Sequence, residues 1–185
     1  QMLCAVNPIW FGLTQKLERE LGFDVATEID RRMIVFQYKA SDTVVSTNSL
    51  FISPARRFHF PHQQLERLQW LAQEFPSCVY YILPHIGNAT ELRANSDLVA
   101  QSWAVDVCLL PFPFPPSHRA SGVHLVYMRP PHCVITSTPR RMEISSVADL
   151  CKKLREHPPN SQALGTFLKK KAKLLKGRKL YACVY

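Results

Sequence analysis

The chain has no pair of cysteines at two-residue spacing, no glycine-rich loop and no uninterrupted apolar run of about 18 residues. Its six cysteines, Cys4, Cys78, Cys108, Cys133, Cys151 and Cys183, are scattered, so no single turn can hold a zinc ion or a redox disulfide. Those in apolar runs read as small core side chains. The six glycines are isolated, which excludes a phosphate-cradling loop. No Ser, Cys and His grouping marks a covalent nucleophile, and there is neither an internal repeat nor an N-terminal signal pattern. These absences predict a soluble, cytoplasmic chain without a membrane span, and they argue against hydrolysis through an enzyme nucleophile.

Acidity is scarce in one place only. Residues 1–151 hold thirteen Lys+Arg against thirteen Asp+Glu, whereas residues 152–185 hold ten against Glu156 alone. The formal net charge of +9 therefore sits at the C-terminus. There Leu164, Phe167, Leu168, Leu174 and Leu175 interleave with basic residues, as on a basic amphipathic helix. Lys169, Lys170, Lys171, Lys173, Lys176, Arg178 and Lys179 are the candidate nucleic-acid contacts, held by an electrostatic attraction that salt weakens. An anionic membrane surface, a protein partner in a larger complex, and a solvated lysine face packed on the body are the competing readings. Pro158-Pro159 divides the expected body, residues 1–157, from this tail, residues 158–185. The body is long enough, and at 46% hydrophobic residues apolar enough, to close a core.

Periodicity predicts a first helix from Ile9 to Leu21, with Trp10, Leu13, Leu17 and Leu21 as its stripe and Gly22 as its stop. Two strands follow, 23–29 and 33–39, then a polar connection with a short strand at 50–53. Residues 62–75 form a second helix with the stripe Leu65, Leu68, Leu71, Ala72 and Phe75, ended by Pro76. The apolar run 78–83 suits a central strand covered on both faces. A helix over 90–100, strands at 105–110, 122–128 and 133–136, and a helix over 147–157 opened by Ser145 or Ser146 complete the body. Residues 111–116, Pro-Phe-Pro-Phe-Pro-Pro, can only be a loop. The alternation predicts an α/β (α+β) domain around one mixed central sheet flanked by helices.

Polar residues inside the two early strands need a cause. If 23–29 and 33–39 pair as a hairpin turning at Asp30 and Arg31, facing residue numbers sum to 61, Asp24 stands across from Gln37, and Lys39 shares their face. A one-residue slip would send Asp24 to the other side. A carboxylate beside an amide oxygen suits a hard divalent cation, Mg²⁺ or Mn²⁺, which shares phosphate oxygens with a substrate. A neighbouring ammonium can orient water and offset charge on phosphorus, which is the chemistry of phosphodiester hydrolysis. The plainer reading has Asp24 capping the turn after Gly22, with Gln37 and Lys39 solvating a strand end.

Asp24 followed by Gln37-Tyr38-Lys39 on a second strand, behind a helix, resembles the signature of the PD-(D/E)XK nuclease superfamily in a glutamine-x-lysine variant. The resemblance spans roughly residues 10–83. It implies a restriction-endonuclease-like core, Asp24, Gln37 and Lys39 as catalytic residues, and Asp24 and Gln37 as metal ligands joined by an acid of the preceding helix. On a helical wheel Glu20 lies nearer the apolar stripe than Glu18 and is the favoured third ligand. The implied function is metal-dependent nucleic-acid cleavage, DNA more than RNA, in restriction, defence or repair; the alternative is a catalytically inactive relative that binds or assembles through its basic arm. Three departures stand out: Phe23 replaces the usual proline before the acid, a separate first strand is missing, and Gln37 replaces the second acid. Of the remaining polar residues, His62-Gln63-Gln64 opens the second helix, either near the metal site or as a solvated first turn. Arg56 and Arg57 are phosphate contacts or ordinary loop charges, and His124 and His132 read as structural.

Overall fold

The computed structural model describes residues 9–12, 18, 21–29, 32–44, 55–86, 88–94, 97, 100–111, 122–156 and 183–184. In chain order these form β1 (Ile9–Gly12), β2 (Val25–Ile29), β3 (Arg32–Tyr38), β4 (Ser41–Val44), β5 (Ala55–Pro61), α1 (His62–Glu74), β6 (Val79–Pro84) and α2 (Ala89–Ala94). Then come β7 (Ser102–Asp106), a 3₁₀ turn (Val107–Leu109), β8 (Val123–Arg129), β9 (His132–Ile135), β10 (Arg140–Glu143), β11 (Ser145–Ser146), α3 (Val147–Glu156) and β12 (Cys183–Val184). No helix among the described residues is long and apolar enough to cross a membrane.

The domain is α+β, but the single sheet expected from the sequence is two sheets. A seven-stranded mixed sheet runs β11-β7-β6-β3-β2-β1-β12, and a five-stranded antiparallel sheet runs β10-β9-β8-β5-β4. In the second sheet, β8 and β9 match the strands expected at 122–128 and 133–136, but β5 and β10 escaped the sequence reading because they carry charge beside their apolar positions: in β5, Ala55, Phe58 and Phe60 are buried while Arg56, Arg57 and His59 intervene. In β10 only Met142 is buried. The pair β3–β6 is parallel, and the chain reaches it by the long connection through β4, β5 and α1 that a parallel crossing requires.

Other boundaries move as well. Ile9–Gly12 is a strand, not the start of a helix, because pairing with β2 on one side and β12 on the other outweighs the three-and-four spacing of its apolar residues. Glu18 and Leu21 are helical, and the Gly22 amide donates to the Glu18 carbonyl at 2.7 Å to end that segment. The strand expected at 105–110 is Ser102–Asp106; the Asp106 carboxylate accepts from the Cys108 amide and turns the chain into the 3₁₀ turn. Of the helix expected over 90–100, the described residues show Ala89–Ala94 as helical. The short strand expected at 50–53 lies outside the described residues, as do the tail lysines; Cys183 and Val184 pair with β1.

Alternation along β6 explains its position. Val79, Tyr81 and Leu83 join the main core with Ala26, Met33 and Val35, against Leu65, Leu68, Leu71 and Phe75 of α1 and against Phe58, Phe60, Val126 and Met128 of the second sheet. Tyr80 and Ile82 point the other way and pack with Ile34 and Phe36 on Val147, Leu150 and Leu154 of α3. The Ser146 hydroxyl accepts from the Asp149 amide and donates to its carboxylate, capping α3.

Gly22 joins the helical segment to α1. Its φ is +86°, and a Cβ there would stand 3.1 Å from Arg67 Cβ and 3.5 Å from the Gln64 carbonyl. Only glycine satisfies both the backbone conformation and the close approach. Gly22→Ala is expected to lower stability by roughly 1–2 kcal/mol from the backbone alone, and Leu68→Ala by about 2–5 kcal/mol from the cavity it leaves. Urea unfolding measures both, and an unchanged midpoint for Gly22→Ala would show that position 22 does not require the left-handed backbone conformation.

Candidate functional site

Residues of the hairpin meet in the register expected from the sequence: Val25 faces Phe36 and Glu28 faces Met33. The Asp24 amide donates to the Phe36 carbonyl at 3.1 Å, which carries the ladder one residue past β2. Asp24 Oδ2 then accepts two hydrogen bonds, from Gln37 Nε2 at 2.9 Å and from the Tyr38 amide at 2.7 Å. Gln37 Nε2 also donates to the Tyr38 carbonyl at 3.1 Å. These contacts fix the Gln37 amide, because a flipped orientation would set its oxygen against two acceptors. Gln37 is 2% exposed, and its Oε1 is buried without a hydrogen-bond partner among the described residues.

Lys39 is held from behind by its amide, which donates to the Ile82 carbonyl at 3.1 Å. Its ammonium donates to Gln64 Oε1 on the first turn of α1. Glu18 completes the group from the helical segment that Gly22 ends. A cavity of about 410 Å³ opens over them, lined by Glu18, Lys39, Pro61, Gln63, Gln64 and Arg67.

Electrostatics tie the four together. Burial first, then a hydrogen bond and like-charge repulsion from Asp24, push the Glu18 carboxyl up, with Lys39 and Gln37 acting in the opposite direction. Burial pulls the Lys39 ammonium down, against the attraction of Asp24 and Glu18. Tyr81, paired in register with Gln37 on β6, is fully buried and stacks on Phe60 with ring centroids 3.8 Å apart. Burial and the Asp24 charge hold its phenol well above the ordinary tyrosine value, and its hydroxyl has no hydrogen-bond partner among the described residues.

Asp24, Gln37 and Lys39 thus meet as expected. Glu20 lies outside the described residues, and the carboxylate brought to Asp24 is that of Glu18. Trp10, where the stripe used for the helical wheel began, is a residue of β1. The three residues opening α1 go separate ways. Gln64 binds Lys39, Gln63 is exposed on the cavity rim, and His62 is buried, its Nδ1 2.8 Å from His124 Nε2, whose ring reaches Ser137 Oγ at 2.8 Å. Arg56 and Arg57 pair with Glu91 and Asp42. Sequence reasoning missed Tyr81 and Arg67; the parallel neighbour of the triplet strand was the available signal for Tyr81. Among the described residues no three His, Cys, Asp or Glu side chains cluster as metal ligands, so a cation here would rest on two carboxylates and the Gln37 oxygen. Comparison of the chain with family models, curated proteins and solved structures returns no match.

The raised Glu18 carboxyl keeps a proton in the folded state that the unfolded chain has released, so it contributes stability that falls as pH rises from the ordinary glutamate range through its own value. The lowered Lys39 ammonium releases its proton first in the folded state, so stability rises with pH through the window just below the ordinary lysine value. Glu18→Gln is expected to flatten the first limb, and Lys39→Met the second, in urea midpoints measured from pH 4 to pH 10. Curves parallel to the parent would show that neither group bears the cost of its setting.

Proposed function

We propose that the chain is a metal-dependent nuclease with a restriction-endonuclease-like core, hydrolysing phosphodiester bonds in nucleic acid, with defence, restriction or repair as its setting. The observation that carries this reading is the convergence of Glu18, Asp24, Gln37 and Lys39 at one end of the β2–β3 hairpin, beside a cavity.

The donors fit a hard cation. Glu18 and Asp24 offer carboxylates whose mutual repulsion already raises one of them, and Gln37 Oε1 is a buried oxygen without a partner among the described residues. These three residues would hold Mg²⁺ or Mn²⁺, which when bound polarises a phosphoryl oxygen and makes water more acidic. The chain's own residues do the rest. Asp24 keeps the Gln37 amide turned so that its oxygen faces away from the ladder. Gln64 steers the Lys39 ammonium, which orients the attacking water and offsets charge gathering on the phosphoryl oxygens. Tyr81, a neutral phenol buried on β6 beside Gln37, is a hydrogen-bond donor at any physiological pH.

A second reading, a catalytically inactive nuclease-like subunit that binds nucleic acid or assembles through its basic arm, is favoured by one observation: Gln37 stands where an acid would add charge to the metal site.

Linear and circular DNA and RNA, incubated with Mg²⁺, Mn²⁺ or EDTA, separate the two. Cleavage is expected with metal and not with EDTA, and is expected to fall by about a hundredfold or more in Lys39→Met and Asp24→Asn. Asp24→Asn retains an acceptor for Gln37 and Tyr38, so it is expected to fold while losing Mn²⁺ binding in calorimetry. Cleavage that survives both substitutions would remove the active site from this hairpin. No cleavage with any metal would leave the binding reading.

For the arm, replacing Lys169, Lys170, Lys171, Lys173 and Lys176 by glutamine is the cleaner variant, since truncation would also delete β12. Affinity for duplex DNA is expected to fall and its slope against salt to flatten by roughly 0.9 for each phosphate that the variant no longer neutralises. An unchanged slope would take the arm out of binding.

A further inference from the structure

The helix that carries Gln64 continues past the cavity on a face turned to solvent. Gln63, Arg67, Trp70 and Glu74 recur at four, three and four residues, which is one stripe of α1, and all are exposed. Arg67 lines the cavity. Trp70, one turn further along and about 4.5 Å up the axis, is 59% exposed. Among the described residues four large apolar side chains are exposed: Tyr38, Trp70, Leu109 and Val123. The two aromatic ones sit on the two elements that build the site. Tyr38, 43% exposed, lies between Gln37 and Lys39; Trp70 follows Arg67.

We infer that the site takes single-stranded nucleic acid, with Arg67 on a backbone phosphate next to the cavity and the Trp70 indole stacked on an unpaired base beyond it. The inference rests on the nuclease reading for what enters the cavity, and adds the substrate class. Stacking on a protein ring needs a base whose π face is free, and in a duplex both faces are covered by neighbouring bases. An aromatic ring beside a phosphate-binding cation therefore selects unpaired nucleotides, without regard to which base.

The test is fluorescence anisotropy of the full chain in EDTA, where nothing is cleaved, with labelled oligo(dT), oligo(rU), an abasic oligonucleotide and a duplex of equal length. Oligo(dT) or oligo(rU) is expected to bind more tightly than the duplex. Trp70→Ala is expected to weaken that binding about tenfold or more, Trp70→Phe to retain most of it, and Arg67→Ala to weaken single-stranded and abasic probes alike. The abasic probe is expected to bind the parent and Trp70→Ala equally. Unchanged single-strand affinity in Trp70→Ala, or an equal loss on the abasic probe, overturns the stacking role. Reading the binding in EDTA separates this from the nuclease reading: cleavage by the parent with metal but no dependence of single-strand affinity on Trp70 overturns the stacking role alone, and dependence on Trp70 with no cleavage under any metal overturns the nuclease reading alone.

Discussion

The Asp24 carboxylate, accepting from both the Gln37 amide and the Tyr38 backbone, is the contact on which the rest of the site depends. It closes the end of the hairpin, where the ladder would otherwise fray, and it does so with a charged acceptor, which strengthens both bonds. In fixing the Gln37 amide it leaves the opposite oxygen buried without a partner among the described residues. A buried polar atom left in that condition costs about 1–3 kcal/mol. Glu18 adds a second carboxylate and Lys39 a half-buried ammonium, each shifted in the direction that burial imposes. Groups that strain against their surroundings in one place are the usual mark of a working site.

The second sheet gives that site its rigidity. Its inner face, with Phe58, Phe60, Val126 and Met128, packs into the same core as α1 and β6, and the stacked pair of Phe60 and Tyr81 joins it to the strand beside Gln37. His62 at the start of α1 is held by His124 of β8, and its amide donates to the Gly122 carbonyl at 2.9 Å. The first turn of α1 is therefore anchored from the side away from the cavity, and Gln64, two residues on, is presented to Lys39 as a consequence. Gly22 brings the Glu18 segment against the same turn. Three chain segments far apart in sequence converge because one helix start receives them all.

Much of this is legible in the residues alone. The hairpin has the register assumed for 23–29 and 33–39, although the residues alone leave a one-residue slip open because apolar side chains occupy both faces. The stripe of α1 and the two-sided burial of β6 are plain, the first from its three-and-four spacing over thirteen residues and the second from an uninterrupted apolar run. What stays hidden has a common cause. Strands β5 and β10 hold arginines and a histidine that pair with acids or face solvent, so their apolar period is interrupted. Strand β1 is defined by partners on β2, where Gly12 faces Val25, and at the far end of the chain, where Ile9 faces Val184; no local pattern encodes that. The helical wheel used to rank Glu18 and Glu20 drew on the same local pattern, although Trp10 belongs to a strand, and Glu20 itself lies outside the described residues.

Charge at the site sharpens what else the molecule needs. With Glu18 and Asp24 ionised against Lys39, the cluster is net negative, and a phosphodiester approaching it is repelled. Protonation of Glu18, favoured by its burial and by Asp24, only neutralises the cluster. Attraction must therefore come from a bound divalent cation, which reverses the local sign, or from charge outside the cluster. Arg67 at the cavity supplies one such charge. The body as a whole supplies none in net, since residues 1–151 are balanced, and the excess lies in residues 152–185. On the proposed reading, a neutral body with a costly acidic site and a strongly basic terminus would divide the work: the terminus would concentrate a polyanion by long-range attraction that salt screens, and the site would act only where short-range contacts hold a phosphate against it. A glutamine at position 37, where the proposed family carries an acid, would fit the same division, because it would lower the repulsion that an incoming backbone must overcome, at the expense of affinity for the cation.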